Sequence, residues 1–253
     1  MAHDDDDTPD PEEVAFLAAY DPGAFERPSV AVDVALLSAF DGALHALLLR
    51  RDQHPHRGRW ALPGGFIRMD ESLEEAAGRL LRDKASLAQV FVEQLFTFGD
   101  PDRDPRMRVL AVAYYALVHP ARFKEALETV EGLELGRLVV PWEGETGGPV
   151  EVEGPHGGDR PMAFDHADIL GMAVKRIRGK LDYSPIGFQL LPPNFTLREL
   201  QEVHETILAR PLNKDSFRRR MLATGLLEAT GEREHAVGHR PAELYRFVRR
   251  SAV

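Results

Sequence analysis

The chain has 253 residues, 43% of them hydrophobic and 28% charged, with a formal net charge of -10 and no cysteine. That length accommodates one large domain or two modest ones, and the absence of cysteine excludes a disulfide framework, cysteine-ligated zinc and a thiol nucleophile. No apolar run approaches the roughly 18 residues of a spanning helix, and the acidic start (Asp4 to Asp7) lacks the basic-then-apolar order of a secretory signal, so a cytoplasmic protein without membrane partners is expected.

In chain order, residues 1–25 read as an acidic, Pro-containing tail, poorly ordered except for a short helix over 14–20. Residues 30–37 and 44–49 read as strands around the turn signal Asp41-Gly42. A helix is predicted over 74–81, where Leu73, Ala76, Ala77, Leu80 and Leu81 recur at helical spacing behind Ser72 as N-cap. Strands over 91–98 and 109–118 flank a loop, 99–108. Residues 124–131 form a loop or short helix, 137–140 another strand, and 144–160, rich in Gly, Pro and Glu, an insertion or mobile loop. A further helix over 165–178 has a capping acid, apolar spacing (Ile169, Leu170, Ala173, Val174, Ile177) and terminal bases. The expected fold class is α/β: residues 26–178 make an α/β/α sandwich, followed by a linker, 179–193.

The pattern changes in 194–253. Thr196 caps a helix whose apolar face is Leu197, Leu200, Val203, Ile207 and Leu208, and Pro211 follows its end. Asn213 caps a second helix, 214–224, closed by Gly225. Short strands over 226–230 and 244–248 then form a two-stranded hairpin, completing the order of a winged helix-turn-helix. Charge supports a division of labour: residues 170–253 hold 15 Lys and Arg against 9 Asp and Glu, inside an acidic chain.

On the second helix Phe217, Met221 and Thr224 share the core spacing, so Arg219 projects outward with Arg218 and Asp215 beside it. Lys214 and Ser216 lie at the N-terminal end, where a recognition helix meets base edges. Arg220, nearer the core edge, suits phosphate, and Arg240 lies in the wing. The plain alternative is a solvated basic helix.

Residues 65–87 resemble the Nudix box, G-x5-E-x7-R-E-U-x-E-E-x-G-U with U aliphatic. Gly65, Glu71, Arg79, Leu81 and Leu87 fit; the three box glutamates read Leu80, Asp83 and Lys84, and the second glycine reads Ser86. In Nudix enzymes these carboxylates hold Mg²⁺ against a diphosphate. Leu80 and Lys84 cannot do so, and Lys84 adds positive charge where the ion belongs. Binding without hydrolysis is therefore expected, with no catalytic residue, metal ligand set or required cofactor. Candidate ligand-binding residues are Gly64 and Gly65, where the backbone can come close to a ligand, Glu71 and Arg79, Arg51 at a strand end, and Asp102 and Arg103 in the 99–108 loop. Each also has a plain structural reading.

Together with the segments 60–65, 98–105, 163–166, 213–219 and 239–247, these features resemble the NrtR family of Nudix-related transcriptional regulators. The resemblance implies a homodimeric repressor of NAD-metabolism genes, a palindromic operator and ADP-ribose or a related nucleotide as effector. A ligand can release DNA only by favouring a different inter-domain arrangement, and the linker 179–193 between the two domains is the candidate hinge. Two other readings compete. A divergent Mg²⁺-dependent ADP-ribose pyrophosphatase would release AMP through Glu71 or Asp83. A sensor whose basic tail contacts protein or RNA would lack salt-dependent duplex binding.

Overall fold

The apolar run from Val30 onward sets the layering. It becomes the central strand of a sheet covered on both faces, which is why hydrophobic residues run on instead of alternating with polar ones. The structure, a computed structural model, describes residues 10–181, 185–235 and 241–248. The acidic run at 4–7, Arg240 and part of the predicted linker lie outside them.

A first helix, α1 (Pro11–Ala19), is capped by Asp10 and buries none of its residues. Strands β1 (Ser29–Phe40) and β2 (Ala43–Arg50) form a hairpin turned by Asp41 and Gly42, both left-handed. Short strands β3 (Trp60–Ala61) and β4 (Gly64–Phe66) pair with β2 and β1 respectively. Helix α2 (Leu73–Ala85) starts in a reciprocal capping box between Ser72 and Glu75. Strands β5 (Glu93–Phe98) and β6 (Val109–Leu117) follow, with β6 parallel to β1. The segment read as a loop or short helix is a full helix, α3 (Pro120–Thr129), begun by Pro120 behind His119.

Strand β7 (Leu133–Val139) lies against β2, and β8 (Glu151–Glu153) closes the sheet edge in the order β5-β6-β1-β2-β7-β8. The expectation of a plain mobile loop over 144–160 is thereby corrected. Val150 and Val152 point into the core, and Gly136 opposite leaves the room: a Cβ there would stand 2.4 Å from Val152 Cγ1. Helix α4 (His166–Lys180) covers the face opposite α2 and α3. Val32, Val34 and Leu36 pack toward α2, whereas Ala35, Leu37 and Ala39 pack toward α4.

The C-terminal module comprises β9 (Asn194–Thr196), α5 (Leu197–Leu208), α6 (Lys214–Ala223), β10 (Leu227–Arg233) and β11 (Glu243–Phe247). Its sheet has three strands, in the order β10-β11-β9, where two were expected; β9 is too short to show a period of its own. Phe195, Leu200, Phe217, Met221 and Tyr245 form its core.

Helix α5 serves two cores. Leu200 belongs to the winged core, while Val203 and Ile207 pack with α4 beneath the large sheet. Buried Arg178 on α4 reinforces this junction. Its Nε donates to the Ile207 carbonyl (2.9 Å), its Nη1 to the carbonyls of Trp142 and Gly144 (3.2 Å each), and its guanidinium lies 4.9 Å from the Trp142 ring centroid. The predicted linker is also held, since Leu181 and Leu190 are buried in the same cluster.

Candidate functional site

Helix α2 faces the sheet with Ala76, Ala77, Leu80 and Leu81, so the Leu80 that replaces a box glutamate is core. The nearby glutamates are engaged, whereas Asp83 is exposed. Glu71 receives both Nε (2.8 Å) and Nη2 (2.5 Å) of Arg79 and the Arg68 amide. The hydrogen bond from Arg79 holds the Glu71 carboxyl down at about 2. Glu74 accepts from the Tyr114 hydroxyl, and Glu75 closes the capping box. Glu71 and Arg79 thus staple the 66–71 loop to α2, and neither is among the residues that wall the inner and outer cavities. Ser86, in place of the second box glycine, ends the helix in the left-handed conformation at φ 52.

An inner cavity of about 710 Å³ lies between α2, β1 and the 99–108 loop, with Arg51, Gly64, Gly65, Asp83, Lys84 and Arg103 among its walls. Buried Asp33 stands at its base. A Cβ on Gly64 would come within 2.0 Å of Asp33 Oδ1, so Gly64 makes room for this carboxylate in the cavity wall. Arg103, with only 4% of its side chain exposed, reaches Asp165 (2.6 Å) and Asp33 (3.5 Å). His166 accepts from the Leu62 amide at Nδ1 (2.9 Å) and directs Nε2 toward Asp33 (3.7 Å). Burial lowers its pKa, so the imidazole is neutral at pH 7 with its proton on Nε2. The capping acid Asp165 makes no cap bond, because its carboxylate is taken by Arg103.

Lys84 is exposed as a residue, yet its ammonium lies at the cavity wall and donates to the Gly64 carbonyl. Burial pushes its pKa below the ordinary lysine range; Asp33 opposes that shift, and Arg51 and Arg79 add to it. Arg51 donates to the Pro55 carbonyl (2.8 Å) and lies 4.8 Å from the Phe164 ring centroid.

Phe164 and Arg103 separate this cavity from an outer one of about 820 Å³. Phe164 adopts φ 50, an unusual conformation for a bulky side chain. The outer cavity is walled by Phe98, Asp102, residues 146–148, Asp168 and Lys175. Sequence reasoning missed Asp33, although a lone charge in the apolar stretch 30–40 was a signal, and gave no individual role to Phe164 or His166. Lys175 and Asp168 carried no signal beyond lying on a helix.

In the winged module, Asn213 accepts from the Ser216 amide (3.0 Å) and fixes the start of α6. Phe217 and Met221 are buried, while Lys214, Ser216, Arg218, Arg219 and Arg220 are all exposed. Arg220 lies 5.8 Å from the Phe217 ring centroid, at the core edge. Arg218 sits toward the wing: burial and the Glu243 carboxylate raise the Tyr245 hydroxyl's pKa against the pull of this guanidinium.

Fold and site define a Nudix domain with a depleted metal-binding set, joined to a DNA-type winged helix. The domain families agree: a NUDIX domain matches residues 27–143, and an NrtR DNA-binding winged helix domain matches 187–247. A relative from Acinetobacter baylyi, the "ADPR responsive transcriptional repressor NtrR", is 37% identical over 238 residues, covering 93% of this chain and 88% of its own. The structure of Shewanella oneidensis NrtR with a 27mer DNA superposes with a TM-score of 0.70 at 35% identity, covering 87% of this chain and 93% of that one. An ADP-ribose pyrophosphatase from Methanocaldococcus jannaschii is 34% identical over only 88 residues, 35% of this chain and 50% of its own. The chain belongs to the NrtR family of Nudix-related transcriptional regulators.

Proposed function

We infer that this chain is a transcriptional repressor that binds a palindromic operator as a homodimer and responds to ADP-ribose held by its Nudix domain, with NAD-metabolism genes as its targets. The observation that carries the reading is the exposed basic face of α6, set on buried Phe217 and Met221. Lys214 and Ser216 at the helix start and Arg219 on its outer face are assigned to the major groove, where an arginine can pair bidentately with guanine. Arg218, Arg220 and Arg240 are assigned to phosphate. Arg51, Gly65, Asp102 and Arg103 are assigned to the effector, which the two adjoining cavities are large enough to house.

Hydrolysis is not part of this reading. Glu71 and the α2 glutamates Glu74 and Glu75 are bonded to Arg79, Tyr114 and Ser72, and among the described residues no group of three His, Asp or Glu could hold a metal ion. Incubation with ADP-ribose and Mg²⁺ is therefore expected to release no AMP.

The decisive experiment measures binding to a duplex that the protein itself selects from a random-sequence pool, by fluorescence anisotropy, with and without ADP-ribose. Saturating ADP-ribose should shift operator affinity; an unchanged affinity overturns the effector assignment. Arg219→Ala should weaken specific binding about tenfold with the fold intact. Equal affinity in that variant sinks the recognition-helix assignment.

A further inference from the structure

The Nudix fold implies a divalent cation at the box helix, and the residues of this chain do not fit one. Leu80 is buried among apolar neighbours, and Lys84 places an ammonium on the Gly64 carbonyl. Glu71 is held in a two-pronged pair by Arg79. A positive group already stands where the fold would bring a cation.

Four of the cations that line the inner cavity fall into two kinds. Arg103 and Arg106 are hydrogen-bonded to carboxylates, of Asp165 and Asp104 respectively. Arg51 and Lys84 are instead bonded to main-chain carbonyls, of Pro55 and Gly64, which orient a cation without neutralising it. Of the acids at this cavity, Asp52 and Asp83 are exposed, so water and salt screen them, and buried Asp104 is taken by Arg106, whereas the Lys84 ammonium is held at the cavity wall by the Gly64 carbonyl. Buried Asp33 acts on Lys84 but is shared with Arg103 and His166, and an ammonium with one hydrogen on a carbonyl has two left for anionic oxygens.

We propose that Lys84 is the resident cation of the inner cavity: resting on the Gly64 carbonyl with Arg51 across from it, its ammonium takes over the charge neutralisation for which the Nudix fold uses a divalent metal, so that a diphosphate binds here without Mg²⁺. The inference rests on the functional reading above, because ADP-ribose carries that diphosphate. A lysine at a box-glutamate position then both withdraws one metal carboxylate and supplies the binding charge. It also frees ligand sensing from the Mg²⁺ level.

Calorimetric titration of the full chain with ADP-ribose and, separately, with inorganic pyrophosphate tests this, each in EDTA and in excess Mg²⁺. Wild-type affinity for both probes should be the same in the two buffers. Lys84→Gln, its fold checked by circular dichroism, should bind both about tenfold or more weakly, and Mg²⁺ should not restore it. Loss of wild-type binding in EDTA, or wild-type affinity in Lys84→Gln, overturns the proposal. Pyrophosphate binding that depends on Lys84, without ADP-ribose binding, would remove the effector assignment and leave the resident cation in place. Binding of neither probe overturns both.

Discussion

Ser86, where the Nudix box has glycine, carries a cost in backbone terms. The C-cap position demands a left-handed residue, which glycine adopts freely, and serine holds it at φ 52. Ser86→Gly should stabilise the protein by about 1 kcal/mol, the relieved strain less the extra freedom given to the unfolded chain, measured by denaturant titration. The Glu71–Arg79 pair yields a pH prediction. Because Glu71 is depressed from 4.5 to about 2, its stabilisation is complete above about pH 4.5 and is lost as pH falls toward 2. Glu71→Gln should therefore be less stable than wild type at neutral pH, with the gap closing across that window; a gap independent of pH would contradict the assignment. Neither role depends on catalysis, although both residue positions belong to the catalytic motif.

At the level of elements, α4 ties the ligand side to the DNA side. Its middle carries Gly171, where alanine would ordinarily improve a helix by about 1 kcal/mol. Here a Cβ would stand 1.8 Å from the Gly148 carbonyl oxygen, in the loop that walls the outer cavity. Gly171→Ala should accordingly be destabilising, by about 1–3 kcal/mol, and a raised melting temperature would show that the loop yields freely. Helix α4, its apolar spacing and its C-terminal bases were legible in the sequence, as was the cap-and-spacing signature of α5 and α6. The division of the α5 face between two cores was not, because periodicity reports that a residue is buried and not what buries it. Strands β3, β4, β8 and β9, of two or three residues each, were missed for a related reason: too few residues repeat to display a period.

For the whole molecule, the consequence is that the winged module does not hang on a free tether. Arg178 joins the α5 end, the Trp142–Gly144 backbone and the Nudix core through three carbonyls. Arg178→Met would leave those acceptors buried without their donor, and should cost about 2–4 kcal/mol. The wild type should unfold in one cooperative transition, since Val203 and Ile207 belong to the sandwich core while Leu200 belongs to the winged core. Two separated transitions in calorimetry would count against the shared core. Any ligand response must then pass through a packed junction, and a ligand shifts operator affinity only by as much as it prefers one packing of that junction over another.

The sequence by itself determined the two modules, the exposed basic helix and the loss of metal carboxylates, because these follow from local spacing, capping and residue type. Tertiary structure alone decided that Asp33, Arg103, Asp165 and His166 converge, that Glu71 and Arg79 turn toward each other, and that the Lys84 ammonium rests on the Gly64 carbonyl. Asp33, Arg103 and Asp165 come from segments far apart in the chain, and whether any of these charges meets a partner, a carbonyl or water depends on which segments the fold brings side by side.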